Sequence, residues 1–180
     1  RRVIALLEAA GLPYDNKHVA MEKGDYLKPD YMAINPNHQL PTLLDGEIKI
    51  HESNAILRYL CHKHDLKDWY PDDLATRAAV EQWLDWGQCR LGPAVVDIVL
   101  NTVFLAENGD KAAIKRGHDT MTELAPILAA GLEGRNFLAG DRATIADLAI
   151  ASNITHLGWA DATPTEDNIV NWLARVCAIE

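Results

Sequence analysis

Apolar residues recur along this chain at two different spacings, and the spacing changes partway. In "RRVIALLEAAGLPY", Val3, Ile4, Leu6, Leu7 and Ala10 follow a 3.6-residue period, which predicts an amphipathic helix. Gly11 supplies a natural stop, and Pro13 follows it. "YDNKHVAM" alternates and predicts a short strand, while "GDYLKPDYMAINP" is irregular with room for one helical turn. "TLLDGEIKI" reads as strand, tight Asp-Gly turn, strand. "SNAILRYLCHKH" returns to the helical period, with Ser53 at the N-cap position.

Past the polar break "DLKDWYPDD" every periodic stretch is helical. "LATRAAVEQWLDWGQCRLGPAVVDIVLNTVFLAE" predicts one long helix with a kink near Gly92-Pro93. "DKAAIKRGHDTMTELAPILAAGLEG", "TIADLAIASNITHLGW" and "DNIVNWLARVCA" predict three more. Thr144 and Asp147 are spaced as a capping box at the start of the second of these. A structural role for Asp147 is therefore favoured over a catalytic one. The expected organisation is α/β plus all-α: an N-terminal domain over 1–63, a linker over 64–72 and an all-helical domain over 73–180.

Composition narrows the partners. The chain has 180 residues, 48% of them hydrophobic, which suits an ordinary globular protein. A net charge of −9 with no basic face argues against a nucleic-acid partner. No apolar run is long enough for a membrane span, and the opening residues do not read as a signal peptide. Cys61, Cys89 and Cys177 are odd in number and widely spaced, which points to a reducing, cytoplasmic compartment. They most simply pack as small hydrophobes. No metal is expected, because His62 and His64 lack acidic or cysteine company at ligand spacing.

The stretch "NPNHQLPTLLDG" puts a proline at the head of a strand. Pro41 removes a ladder donor and fixes φ, so it belongs at a strand's first residue or in a special turn. Such a turn can offer backbone, rather than side chain, to a ligand. With "HESNAILRYL", "WYPDDLATRAAVEQWLDW" and "FLAGDRATIADLAIA", this stretch resembles the cytosolic glutathione transferases, in particular their theta-like, delta-like and phi-like branches. The four stretches occur in the family's order and span nearly the whole chain.

The resemblance implies a thioredoxin-like N-terminal domain, here lacking its first strand, followed by the family's all-helical domain. It implies a cis bond before Pro41 and an exposed Leu40 backbone that pairs with the cysteinyl part of glutathione like an added strand. It implies that Glu52 and Ser53 take the γ-glutamyl end, Glu52 its ammonium and Ser53 with helix N-terminal amides its carboxylate. Gln39 matches a donor to glutathione, and His38 a histidine near the glycyl carboxylate. Asn54 stands where some members place an arginine. Trp86, Arg90, Val96 and Leu100 are candidates to line the electrophile's pocket, with core or interface packing as the plain alternative for the apolar ones.

The implied reaction is attack of the glutathione thiolate on a small hydrophobic electrophile, with dehalogenation or peroxide reduction as variants. The family activates the sulfur with Ser, Tyr or Cys, just after the first strand or at the start of the first helix. This chain opens inside that helix, without an N-cap. The expectation is that an upstream segment holds the catalytic residue, or that the gene product is naturally truncated and inactive. A homodimer is implied, with the helices from Ser53 and Leu74 facing the partner and Arg77 among the contacts. The second reading is a non-catalytic module of the same fold, as in elongation factor gamma subunits. The third is a thiol reductase with Cys at the sulfur position.

Overall fold

Helix α1 covers Arg2–Ala9 and turns Val3, Leu6 and Leu7 inward. It packs on α3, Ser53–Lys63, which buries Ile56, Leu57, Leu60 and Cys61. The computed structural model describes residues 1–179. It divides into two compact units, Arg1–Leu66 and Lys67 onward.

The first unit holds one sheet of two strands, β1 at Thr42–Asp45 and β2 at Ile48–His51. They run antiparallel in the register Thr42↔His51, Leu43↔Ile50, Leu44↔Lys49, Asp45↔Ile48. Gly46 takes φ +58° in the connecting turn, a conformation only glycine adopts without strain. The helical turn expected in the irregular stretch is α2, Pro29–Met32, with proline in its first turn. The strand predicted over 14–21 does not form; Met21–Lys23 is instead a 3₁₀ turn. Alternation specifies only an extended backbone. A strand also needs a neighbour to exchange hydrogen bonds, and among the described residues β1 and β2 pair only with each other.

In the second unit Asp73 caps α4, Leu74–Trp86, its carboxylate accepting from the Thr76 amide at 2.9 Å. The long helical run then loosens into a π-turn at Gly87–Leu91, tightens as α5, Gly92–Val99, and loosens again at Leu100–Phe104. Pro93 has no N–H to give, and the wider turn just ahead of it absorbs the missing bond. Helix α6, Lys111–Gly131, crosses α5 closely at Gly117. A Cβ at Gly117 would sit 2.7 Å from Ile98 Cγ1 and 2.9 Å from the Ala94 carbonyl oxygen. Arg116 clamps the same crossing through two 2.8 Å bonds to the Asp97 carboxylate.

Helix α7, Ile145–Leu157, is buried on nearly every side and packs on α4, α5 and α8, Asp167–Cys177. Its start is the predicted capping box of Thr144 and Asp147. Asp147 Oδ2 accepts from the Thr144 amide at 2.8 Å and the Thr144 hydroxyl at 3.0 Å. Its Oδ1 accepts from the Leu138 amide at 2.9 Å and the Trp172 indole at 2.8 Å. The carboxylate is fully buried.

Two stability predictions follow from these contacts. Gly117→Ala would gain up to about 1 kcal/mol of helix propensity. The overlap with a backbone oxygen should outweigh that gain, for a net loss of about 1–2 kcal/mol in urea unfolding. Asp147→Ala strands four buried donors, so it should lose more than about 3 kcal/mol in the same assay.

Candidate functional site

The hairpin register decides which predicted residues come together. Thr42 lies opposite His51, so the loop ending at Pro41 and the turn beginning at Glu52 share one end of the hairpin. His38, Gln39, Leu40 and Pro41 enter that end, and Glu52 and Ser53 leave it. The Leu40–Pro41 peptide bond is cis.

Leu40 is 39% exposed, and neither its amide nor its carbonyl makes a hydrogen bond among the described residues. An exposed peptide edge of this kind can take an extended ligand as an added strand. Behind it the loop is tied down. The Asn35 side-chain amide donates to the Gln39 carbonyl at 2.7 Å, and the Tyr31 hydroxyl donates to the same oxygen at 2.6 Å. Tyr31 and Asn35 are both buried. Sequence reasoning gave neither Asn35 nor Tyr31 a role.

Glu52 is exposed and adopts φ 67°, ψ 111°, while His38 has φ 56°. Positive φ at a non-glycine residue costs roughly 1–3 kcal/mol and persists only where its surroundings impose it. Glu52, not Ser53, is the N-cap residue of α3; Ser53 is the first residue within the helix. The correction has a simple cause. An N-cap residue has non-helical dihedrals, and the sharp exit from β2 places those at Glu52. Ser53 thus sits in the first turn, whose N–H groups lack an intrahelical acceptor and where the helix dipole favours an anion. Asn54 is buried beside it and accepts from the Arg2 guanidinium at 3.3 Å.

In the second unit Trp86 closes α4 and meets Trp83 edge-on, with ring centroids 5.2 Å apart. Arg90 is exposed within the π-turn that follows. Val96 and Leu100 are exposed further along the same run. Phe104, 66% exposed, stacks edge-on with Trp159 at 6.1 Å, and Trp159 meets His156 at 4.8 Å. This aromatic group was missed from sequence because its members lie on separate helical segments. Arg77 is engaged within its own chain: its Nε donates to the Pro71 carbonyl at 2.7 Å, and a terminal nitrogen meets Asp72 at 2.9 Å. Among the described residues no group of three or more His, Cys, Asp or Glu side chains could hold a metal ion. Among the same residues no helix is long and apolar enough to cross a membrane.

Comparison with known proteins agrees with this architecture. Residues 1–62 match the family model for the glutathione S-transferase N-terminal domain, and residues 91–180 match that for the C-terminal domain. Glutathione S-transferase F10 of Arabidopsis thaliana is 34% identical over 154 residues, covering 83% of this chain and 72% of that protein. Glutathione S-transferase D7 of Drosophila melanogaster is 31% identical over 176 residues, covering 96% of this chain and 77% of that protein. Among solved structures, glutathione transferase F2 from Populus trichocarpa superposes with a TM-score of 0.88 at 29% identity, covering 99% of this chain and 88% of that one. The chain belongs to the glutathione S-transferase family, with a thioredoxin-like N-terminal domain and a helical C-terminal domain. It is a glutathione S-transferase enzyme by this kinship, which does not favour the reading as a non-catalytic module.

The chain's own thiols differ in exposure. Cys61 is buried, and burial pushes its thiol up to about 12, so it stays protonated and unreactive at neutral pH. Cys89 and Cys177 are exposed. A disulfide reagent at neutral pH should therefore titrate two thiols in the native chain and release the third signal only on adding denaturant. Rapid reaction of all three in the native chain would contradict the packing of Cys61.

Proposed function

We propose that the loop from His38 to Pro41, with Glu52 and Ser53, holds glutathione, and that the chain joins its sulfur to a small apolar electrophile. The exposed, unpaired Leu40 peptide edge is the observation that carries this reading. It shares an end of the hairpin with Glu52 and with the first turn of α3. In this reading the Leu40 amide donates to the cysteinyl carbonyl of glutathione and its carbonyl accepts from the cysteinyl N–H. Glu52 pairs with the γ-glutamyl ammonium. The Ser53 hydroxyl and the N-terminal amides of α3 take the neighbouring carboxylate. Gln39 and His38 attend the glycyl end.

The chemistry is one nucleophilic step. Glutathione's thiol loses its proton to solvent, and the thiolate forms a carbon–sulfur bond as the leaving group departs with its electron pair. Halide is one such leaving group, and conjugation is the core activity. Peroxide reduction would use the same thiolate on an O–O bond, with a second glutathione thiol completing the disulfide. Trp86 and Arg90 are assigned to the electrophile's surroundings, with Val96 and Leu100 as apolar wall. The helices from Ser53 and Leu74 are assigned to a homodimer contact, and a cytoplasmic location accompanies this reading.

Glutathione binding by calorimetry tests the assignment. Glu52→Gln keeps the side chain's shape but removes its charge. Loss of one charge-assisted bond of about 1.5–3 kcal/mol should raise the dissociation constant roughly 10- to 100-fold. Electrophile preference should not change. Unaltered glutathione affinity in a folded Glu52→Gln chain would remove Glu52 from the site.

A further inference from the structure

Two buried side chains behind Leu40, those of Tyr31 and Asn35, form a closed set of hydrogen bonds with the half-buried Thr42. Asn35 Nδ2 lies 2.7 Å from the Gln39 carbonyl oxygen and 3.1 Å from Thr42 Oγ1. Tyr31 Oη lies 2.6 Å from the same carbonyl and 3.0 Å from Thr42 Oγ1. Counting protons settles the directions. The two amide protons of Asn35 go to Gln39 and Thr42. The Tyr31 proton goes to Gln39, so the Thr42 proton goes to Tyr31. Asn35 Oδ1 accepts from the Asn37 amide at 3.0 Å, which leaves the side chain satisfied on both ends.

This set acts on one peptide plane. The Gln39 carbonyl and the Leu40 amide belong to the same peptide unit, which is planar and trans. In a trans unit the C=O and the N–H point in opposite directions. Two buried donors pull the carbonyl inward, so the Leu40 N–H is turned outward, where no protein acceptor meets it. Without such anchoring the plane could rotate, and a ligand would have to bear the entropy of fixing it.

We propose that Tyr31, Asn35 and Thr42 are positioning residues that preset the Leu40 amide for the backbone carbonyl of the bound tripeptide. None of the three touches the ligand. They act through the orientation of one N–H. The inference rests on the reading of Leu40 as the backbone partner of glutathione.

The test compares two ligands on three proteins. The proteins are the full chain, Tyr31→Phe and Thr42→Val, each checked for folding by circular dichroism. The ligands are glutathione and an analogue whose cysteinyl–glycyl amide is replaced by a trans-alkene, which lacks the carbonyl that Leu40 would meet. On the unmodified chain the analogue should bind about fivefold more weakly, the value of one ordinary hydrogen bond. Each variant should bind glutathione about three- to tenfold more weakly, and the analogue's disadvantage should shrink toward unity. A merely structural role would weaken both ligands equally and leave the disadvantage intact. Folded variants that bind glutathione within twofold of the unmodified chain, or that keep the full disadvantage, overturn the brace. If Tyr31→Phe does not fold, Thr42→Val decides alone. A folded, unmodified chain that binds no glutathione overturns the underlying reading instead.

Discussion

One buried carboxylate organises the helical unit. Removing an ionised group from water costs several kcal/mol unless its bonds are replaced, and none of the four donors to Asp147 is a cation. The donors come from residue 138, from Thr144 and from Trp172, so one side chain ties the turn before α7, the start of α7 and the middle of α8. Burial raises the Asp147 pKa, and the four bonds only partly oppose it. The sign of the linkage follows. A carboxyl whose folded value is raised contributes its proton-linked stability in full below the ordinary carboxylate range. That contribution fades as pH rises through the elevated value. Above it, the site's worth lies in satisfying donors rather than in charge. Helix α7 then holds the candidate electrophile side in place, since Ile150 packs where Gly87 has no side chain, at the head of the π-turn that carries Arg90.

The first unit anchors its hairpin with one ionic tie and one built of amide and hydroxyl groups. Its hairpin is pinned at both ends. At the turn, Asp45 accepts from the Tyr59 hydroxyl at 2.7 Å and pairs with Lys63, which fixes it to α3. The Lys63 ammonium and then the Tyr59 hydroxyl hold the Asp45 carboxyl below its usual range, so this tie weakens as pH falls through that lowered value. At the open end, Thr42 is held by Asn35 and Tyr31, neither of which is a carboxyl group. The end of the hairpin proposed to face glutathione is thus the end whose anchoring does not depend on carboxylate ionisation.

These devices were unequally legible in the sequence. Long amphipathic periods located the helices, and Asp45-Gly46 located the hairpin, because both signals are local. The capping box was visible for the same reason: Thr144 and Asp147 are three residues apart. The other donors to Asp147 were not, since Leu138 and Trp172 are joined to it only by the fold. Tyr31 and Asn35 lie in an irregular stretch with no period, so nothing marked them as a pair. The misplaced strand over 14–21 shows the converse. Its alternation was real, but a ladder is a property of two segments, and a pattern within one segment cannot supply the second. The cap shifted from Ser53 to Glu52 because residue type suggested a role that backbone geometry assigned to its neighbour.

The two sides of the proposed reaction place different demands on recognition. Glutathione is a short peptide rich in polar groups, and a site built of oriented backbone, a carboxylate and helix amides rejects a ligand that leaves those groups unpaired. Such rejection can reach several orders of magnitude. The strain held at His38 and Glu52 fits that demand, because it fixes polar groups before the ligand arrives. The surface assigned to the electrophile is of another kind. Val96 and Leu100 expose apolar side chains, and apolar contacts separate ligands by only about 1–3 kcal/mol per methylene. Selectivity should therefore be asymmetric: strict for the thiol donor, broad for the acceptor. In that arrangement the choice among electrophiles is left mainly to their intrinsic reactivity toward a thiolate, rather than to their fit against the helical wall.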